Sequence, residues 1–280
     1  MGRFGSALIV ALLAGMLCIP ATAQAQPLNK QKQQEDRQFA ASNSLFVLYH
    51  EVAHLLFHQL DLPVLGREED AADNVATWIL LKQRNPRNDN VLADAARGWL
   101  LSGEAYGSGE YEDDFAAGHS LDKQRAYQIV CMMVGKDDST FRRIADDYRM
   151  ERDRQDSCYW DYETVDRSLS GLLGGRNLKS GQGTRVTVTY HPVTGKLRSA
   201  ANAFRASGVF DEVADELRRN YNLTTPVAFN AKRCGEANAF YDPETVEIIF
   251  CYELMQDYMD LYTAATPTFG KQKKAETLTA

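Results

Sequence analysis

Residues 44–60 (SLFVLYHEVAHLLFHQL) place apolar side chains at helical spacing without an internal glycine or proline, and the pattern stops at Asp61-Leu62-Pro63-Val64-Leu65-Gly66, a turn-forming stretch. A second helix is predicted over 67–83, with Glu68, Glu69 and Asp70 in the first turn, where the positive end of the helix dipole favours carboxylates. Asn85-Pro86-Arg87-Asn88 ends it, and further helices are expected over 91–105, 122–134, 139–151 and 162–173. The period changes after the glycine-bearing polar stretch 174–184. Residues 185–191 (RVTVTYH) alternate as a strand does, 210–221 reads as a helix and 227–229 as a short strand. Segments 237–241 and 246–251 flank Asp242-Pro243-Glu244-Thr245 as a hairpin would, and a helix over 253–262 follows.

The pattern predicts an α+β fold with a mostly helical N-terminal half and a small sheet or hairpin from the C-terminal half. The organisation expected is a loose polar segment over 24–43, a helical region over 44–173, a linker over 174–184, an α/β region over 185–262 completing the same domain, and a disordered tail over 263–280. No internal repeat is visible.

The first 23 residues stand apart. Arg3 precedes an unbroken apolar run over 7–19, and Ala21-Thr22-Ala23 supplies a small-x-small cleavage pattern, so 1–23 reads as a secretory signal peptide. The run is too short to span a bilayer, and no later segment is long and apolar enough. The chain is therefore expected to be secreted or periplasmic, with no stable membrane span after cleavage. Its 280 residues carry 31 Lys and Arg against 38 Asp and Glu, a net charge of −7. That balance, with no basic stripe, excludes a general nucleic-acid binder. Export also changes the cysteine count: Cys18 leaves with the signal, while Cys131, Cys158, Cys234 and Cys251 remain, an even number bound for an oxidising compartment. Disulfides are expected. Of the three possible pairings, Cys131 with Cys158 and Cys234 with Cys251 are the local ones.

The chemistry lies in the first helix. His50-Glu51-Val52-Ala53-His54 is HExxH, whose two imidazoles at i and i+4 share a helix face and can grip one divalent ion, with Glu51 beside it as general base. Catalytic zinc usually has three protein ligands, so a third is required. The extension HExxHxxGxxH is excluded, because Phe57 and Leu60 stand where Gly and the third His belong. Three stacked rings on a straight helix cannot converge on one ion, so His58 reads as partly exposed or as a neighbour of the ligands. Glu69, opening the next helix after a short turn, fits as third ligand, and Asp73 on the same face can accept the outer N–H of a ligand imidazole. Glu68 and Asp70 read as solvated helix-start charges.

The arrangement of His50 to His54 followed by Glu69 and Asp73 resembles the HExxH…ExxxD pattern of gluzincin metallopeptidases. More narrowly, HEVAHLLFHQLDLPVLGREEDAADNVATWILL and CGEANAFYDPETVEIIFCYEL resemble two signature segments of the DUF4344 family of metallopeptidases. The resemblance spans roughly residues 44–262. The cysteine-flanked hairpin follows the metal helix instead of preceding it, as in a permuted chain. Zincin-like domains need a sheet beside the active-site helix to align an extended peptide, so the C-terminal strands are expected to return to it.

The resemblance implies zinc-dependent hydrolysis of a peptide or protein substrate, in which Glu51 takes a proton from a zinc-activated water and passes it to the leaving amine. Asp114-Phe115-Ala116-Ala117-Gly118-His119 repeats the Asp-x4-His spacing of thermolysin-like gluzincins, which makes His119 a candidate oxyanion donor and Asp114 its orienter. A helix-start histidine reads equally well there, and Tyr106, Tyr111 and Tyr241 are alternative donors. The rival function is a catalytically inactive zincin-like binding or inhibitory module of the cell envelope. Oligomeric state is not legible.

Overall fold

The structure is a computed structural model and describes residues 25–173 and 183–276. The expected signal peptide, residues 174–182 of the expected linker and the last four residues of the expected tail lie outside the described residues. The chain divides into two units, residues 1–34 and 35–280. Of the first, residues 25–34 are helical.

Ten helices and four strands are described, the helical share dominating, so the class is α+β. Seven helices come first: α1 (Ala25–Gln59), α2 (Glu68–Lys82), α3 (Pro86–Tyr106), α4 (Glu112–Ala116), α5 (Asp122–Lys136), α6 (Asp138–Asp147) and α7 (Arg152–Leu173). Then follow β1 (Val186–Tyr190), α8 (Arg198–Ser207), α9 (Val209–Asn220), β2 (Val227–Lys232), β3 (Ala239–Asp242), β4 (Glu247–Cys251) and α10 (Tyr252–Glu276).

Several elements are longer than the apolar pattern predicts. α1 runs through most of the segment expected to be loose, because its Ala, Gln, Lys, Glu and Arg residues are good helix formers even without an apolar stripe. α10 likewise continues from Glu253 past the expected end at 262, through residues expected to form the tail. α3 begins at Pro86, not near residue 91, since Asn85 caps it by accepting from the Arg87 and Asn88 N–H groups while Pro86 occupies the first turn. α8 has no counterpart in the sequence reading.

The sheet runs β1-β2-β4-β3. β1 pairs parallel with β2 and β2 with β4, whereas β3 pairs antiparallel with β4, so β1 and β3 are the two edges. The α8–α9 pair makes the crossover between the parallel strands β1 and β2. Phe229, Ile248 and Phe250 of β2 and β4 enter the core, where Phe250 stacks on Phe204 of α8.

α1 is the spine of the second unit. Every residue from Phe39 to Ala53 is buried. Neighbours reach it from all sides: Asn43 bonds the Asp94 carbonyl of α3, Ser44 meets Met255 of α10, Tyr49 bonds Glu216 of α9, and Glu51 bonds β3. The approach to α3 is close enough to require glycine at position 98, where a Cβ would lie 1.9 Å from Asn43 Oδ1. The disulfides are Cys131–Cys158, joining α5 to α7, and Cys234–Cys251, joining the approach to β3 with the end of β4. Among the described residues no helix is long and apolar enough to cross a membrane.

Candidate metal centre

The turn after α1 brings α2 back along it. The Leu62 N–H donates to the Phe57 carbonyl, and Gly66 turns the chain at φ +104°, a left-handed conformation that a side chain would strain. Glu69 then sits in the first turn of α2, facing the two imidazoles that the i, i+4 spacing stacks on α1.

The three candidate ligand atoms form a small triangle. His50 Nε2 lies 3.0 Å from Glu69 Oε2 and 3.1 Å from His54 Nε2, and His54 Nε2 lies 3.3 Å from Glu69 Oε2. Tetrahedral zinc with bonds of ~2.0–2.2 Å places its ligand atoms about 3.3 Å apart, so two nitrogens and one carboxylate oxygen at these separations fit such an ion in both chemistry and size. A second group among the described residues, Cys131, Cys158 and Asp161, is no rival, because its sulfurs are joined to each other.

Each imidazole is gripped from behind. His50 Nδ1 lies 2.8 Å from Asp73 Oδ1, and both Asp73 oxygens are held by Arg125, from Nε at 2.7 Å and from the terminal nitrogen at 2.8 Å. Arg125 lies on α5, is buried, and stacks 3.5 Å from the Trp99 ring centroid. His54 Nδ1 lies 2.7 Å from Glu68 Oε1. Glu68, a half-exposed charge at the start of α2, thus also meets a candidate ligand. A pair of ligand histidines has two outer N–H groups and needs two acceptors, a count that points to a second carboxylate besides Asp73.

The electrostatics follow from this packing. Burial opposes the charged form of His50, but the bonds to Asp73 and Glu69 outweigh it and raise the imidazole to about 9. Bonds from His119, His50 and His54 hold Glu69 far below the usual carboxylate range. Burial pushes Asp73 up, and the Arg125 guanidinium overrides it, leaving the carboxyl ionised. Glu51 goes the other way: it is buried, and desolvation lifts it above the ordinary glutamate value although His50 and His54 oppose. Its Oε2 accepts the Tyr241 N–H from the edge strand β3 at 2.8 Å.

His119, between α4 and α5, lies with Nε2 2.8 Å from Glu69 Oε2 and its ring 6.1 Å from that of His50. It stays outside the set whose ligand atoms all lie within 4.8 Å of one another. Asp114 is not brought to it. The Asp114 carboxylate accepts the Gly109 and Tyr111 N–H groups and closes the turn into α4. His58 is exposed and pairs through Nδ1 with the Tyr241 hydroxyl at 2.7 Å. Tyr111 is exposed, while Tyr106 donates its hydroxyl to Asp257 of α10.

A cavity of about 450 Å³ opens beside His50, Glu51 and His119 and continues between α3, α10 and the start of β3. Arg125 and Asp257, which no motif marks, both line it. Sequence gives no signal for either, because what matters is the contact each makes across the fold.

A family model, DUF4344, described as Putative metallopeptidase, matches residues 16–173 and 190–280. Comparison with curated proteins finds no match, and neither does comparison with solved structures.

Proposed function

The chain belongs to the DUF4344 family, and from that premise we propose that it is an exported zinc-dependent peptidase that hydrolyses peptide bonds with Glu51 as general base. The observation that carries the reading is the triangle of His50, His54 and Glu69 atoms with edges of 3.0, 3.1 and 3.3 Å. Those three residues would hold the ion, and zinc, when bound, supplies the acidity that makes water a nucleophile near neutral pH and polarises a carbonyl.

The chain's own residues do the rest. Asp73 and Glu68 fix the ring orientations of His50 and His54, so that both Nε2 atoms face the same point. Glu51, held by the Tyr241 N–H and raised by burial, accepts the proton of the attacking water and returns it to the leaving amine. His119, half-exposed at the same carboxylate, is the donor for charge that develops on the carbonyl oxygen. β3 is one of the two sheet edges, and its Ala239 lines the cavity, so an extended peptide can add beside it as a further strand. Export is supported by the apolar leader in the sequence and by the two disulfides.

Metal-stripped protein titrated with Zn²⁺ is expected to take up one equivalent and to gain peptide hydrolysis, while Glu51→Gln keeps the zinc and loses hydrolysis by roughly 10²–10⁴-fold. Protein prepared in zinc-replete medium without stoichiometric zinc would falsify the reading.

A further inference from the structure

The cavity beside Glu51 has a polarity that the hydrolytic chemistry does not use. Its lining includes Val47, Trp99, Leu254 and Leu261, which are apolar, together with Asp257. Among the described residues no Lys or Arg pairs with Asp257; its partner is the Tyr106 hydroxyl. The guanidinium that also lines the cavity, Arg125, is committed to Asp73 on both of that residue's oxygens. Among the described residues, therefore, no cation balances the negative charge of Asp257.

We infer that this cavity selects peptides carrying a cationic nitrogen group, with Asp257 as the counter-charge and Tyr106 as the residue that aims it. The inference rests on the peptidase reading and adds the substrate class to it. Burial lifts the Asp257 carboxyl above its ordinary value, and nearby Asp260 adds to the rise against the Tyr106 bond. An ionised group that is partly desolvated and has no cationic partner gains most from an entering cation. The apolar walls suit the methylene stem of a lysine or arginine side chain, which keeps its charged end for Asp257. A peptide amino terminus offers the same charge without the stem.

The test uses the zinc-loaded full chain and peptides differing at one residue, arginine, lysine, norleucine or glutamate, each with a free or acetylated amino terminus. The expected result is kcat/KM for arginine or lysine about tenfold or more above norleucine, unchanged by acetylation. In Asp257→Asn that ratio should fall towards one with the melting temperature held, and in Asp257→Lys the preference should pass to glutamate. Rates governed by acetylation and lost in Asp257→Asn would identify the cation as the amino terminus, and the selectivity would stand. A ratio unaltered by Asp257→Asn overturns the inference. Binding of the same peptides to Glu51→Gln, read by fluorescence anisotropy, separates this from failure of the peptidase reading. If the native protein cleaves nothing, that reading falls, while an arginine-over-norleucine difference in binding that Asp257→Asn abolishes still upholds the cavity's selectivity. Equal binding overturns it.

Discussion

The two walls of the candidate site, the ligand cluster and the cavity beside it, are built on opposite principles. On the α1–α2 wall nearly every charge is answered by another: His50 by Asp73, Asp73 by Arg125, His54 by Glu68, and Glu69 by three imidazoles. On the β3–α10 wall Asp257 has one hydroxyl for company, and an edge strand borders the space. A fully paired network is rigid and presents its ligand atoms in one arrangement, whereas sparsely paired groups leave binding capacity for something arriving from solution. On the proposed reading, metal-holding falls to the paired wall and substrate-holding to the sparse one.

The strongest way to break the paired wall is Glu69→Ala, which removes the atom on which His50, His54 and His119 converge. Zinc affinity measured with a competing chelator should drop by more than the ~10–100-fold typical of outer-shell changes, and hydrolysis should go with it. Next comes Arg125→Met, which leaves Asp73 buried without its cation. Chemical denaturation should report a loss of about 3–5 kcal/mol, against a change within about 0.5 kcal/mol for Asp257→Asn on the sparse wall. Equal losses would erase the distinction between the walls.

The paired wall should also give the metal-free protein a pH signature. His50 rises from 6.5 to about 9 on folding, so its contribution is complete below 6.5 and disappears as pH climbs through about 9. Asp73 and Glu69 are depressed, so theirs are present at neutral pH and are lost only on strong acidification. Denaturation midpoints of chelator-treated protein should decline from pH 6.5 towards 9, and a rise over that window would contradict the network described. The smallest effect belongs to Glu68→Gln, whose side chain is half-exposed. Zinc affinity should weaken by about tenfold at most, with stability within about 0.5 kcal/mol of native.

The same division governs what was legible in the chain. HExxH and the carboxylates that follow it lie on two consecutive helices joined by one turn, and helical spacing alone predicts which faces meet. The hairpin was equally readable, since alternation and an Asp-Pro turn are local signals. What escaped was set by contacts distant in sequence. Arg125 meets Asp73 from 52 residues away, Tyr241 meets Glu51 from 190, and Tyr106 meets Asp257 from 151. Asp114 misled for the complementary reason: a short spacing matched a pattern, but its carboxylate is used by the backbone of its own turn. The early start of α1 escaped because apolar periodicity registers where a helix is buried, not where it is merely stable.

The Cys234–Cys251 bond encloses β3, its turn and β4 in a covalent ring, and α10 begins at the residue after Cys251. Glu253, in the first turn of α10, ties the neck of that ring by accepting the Cys234 and Gly235 N–H groups. Such a ring behaves as a cassette. The exposed turn within it, from Pro243 to Thr245, can be exchanged or lengthened while both exits of the ring stay pinned to the helix that carries Asp257. Change in that turn is thereby kept apart from the buried Ile248 and Phe250 and from Tyr241, whose N–H bonds Glu51 on the spine.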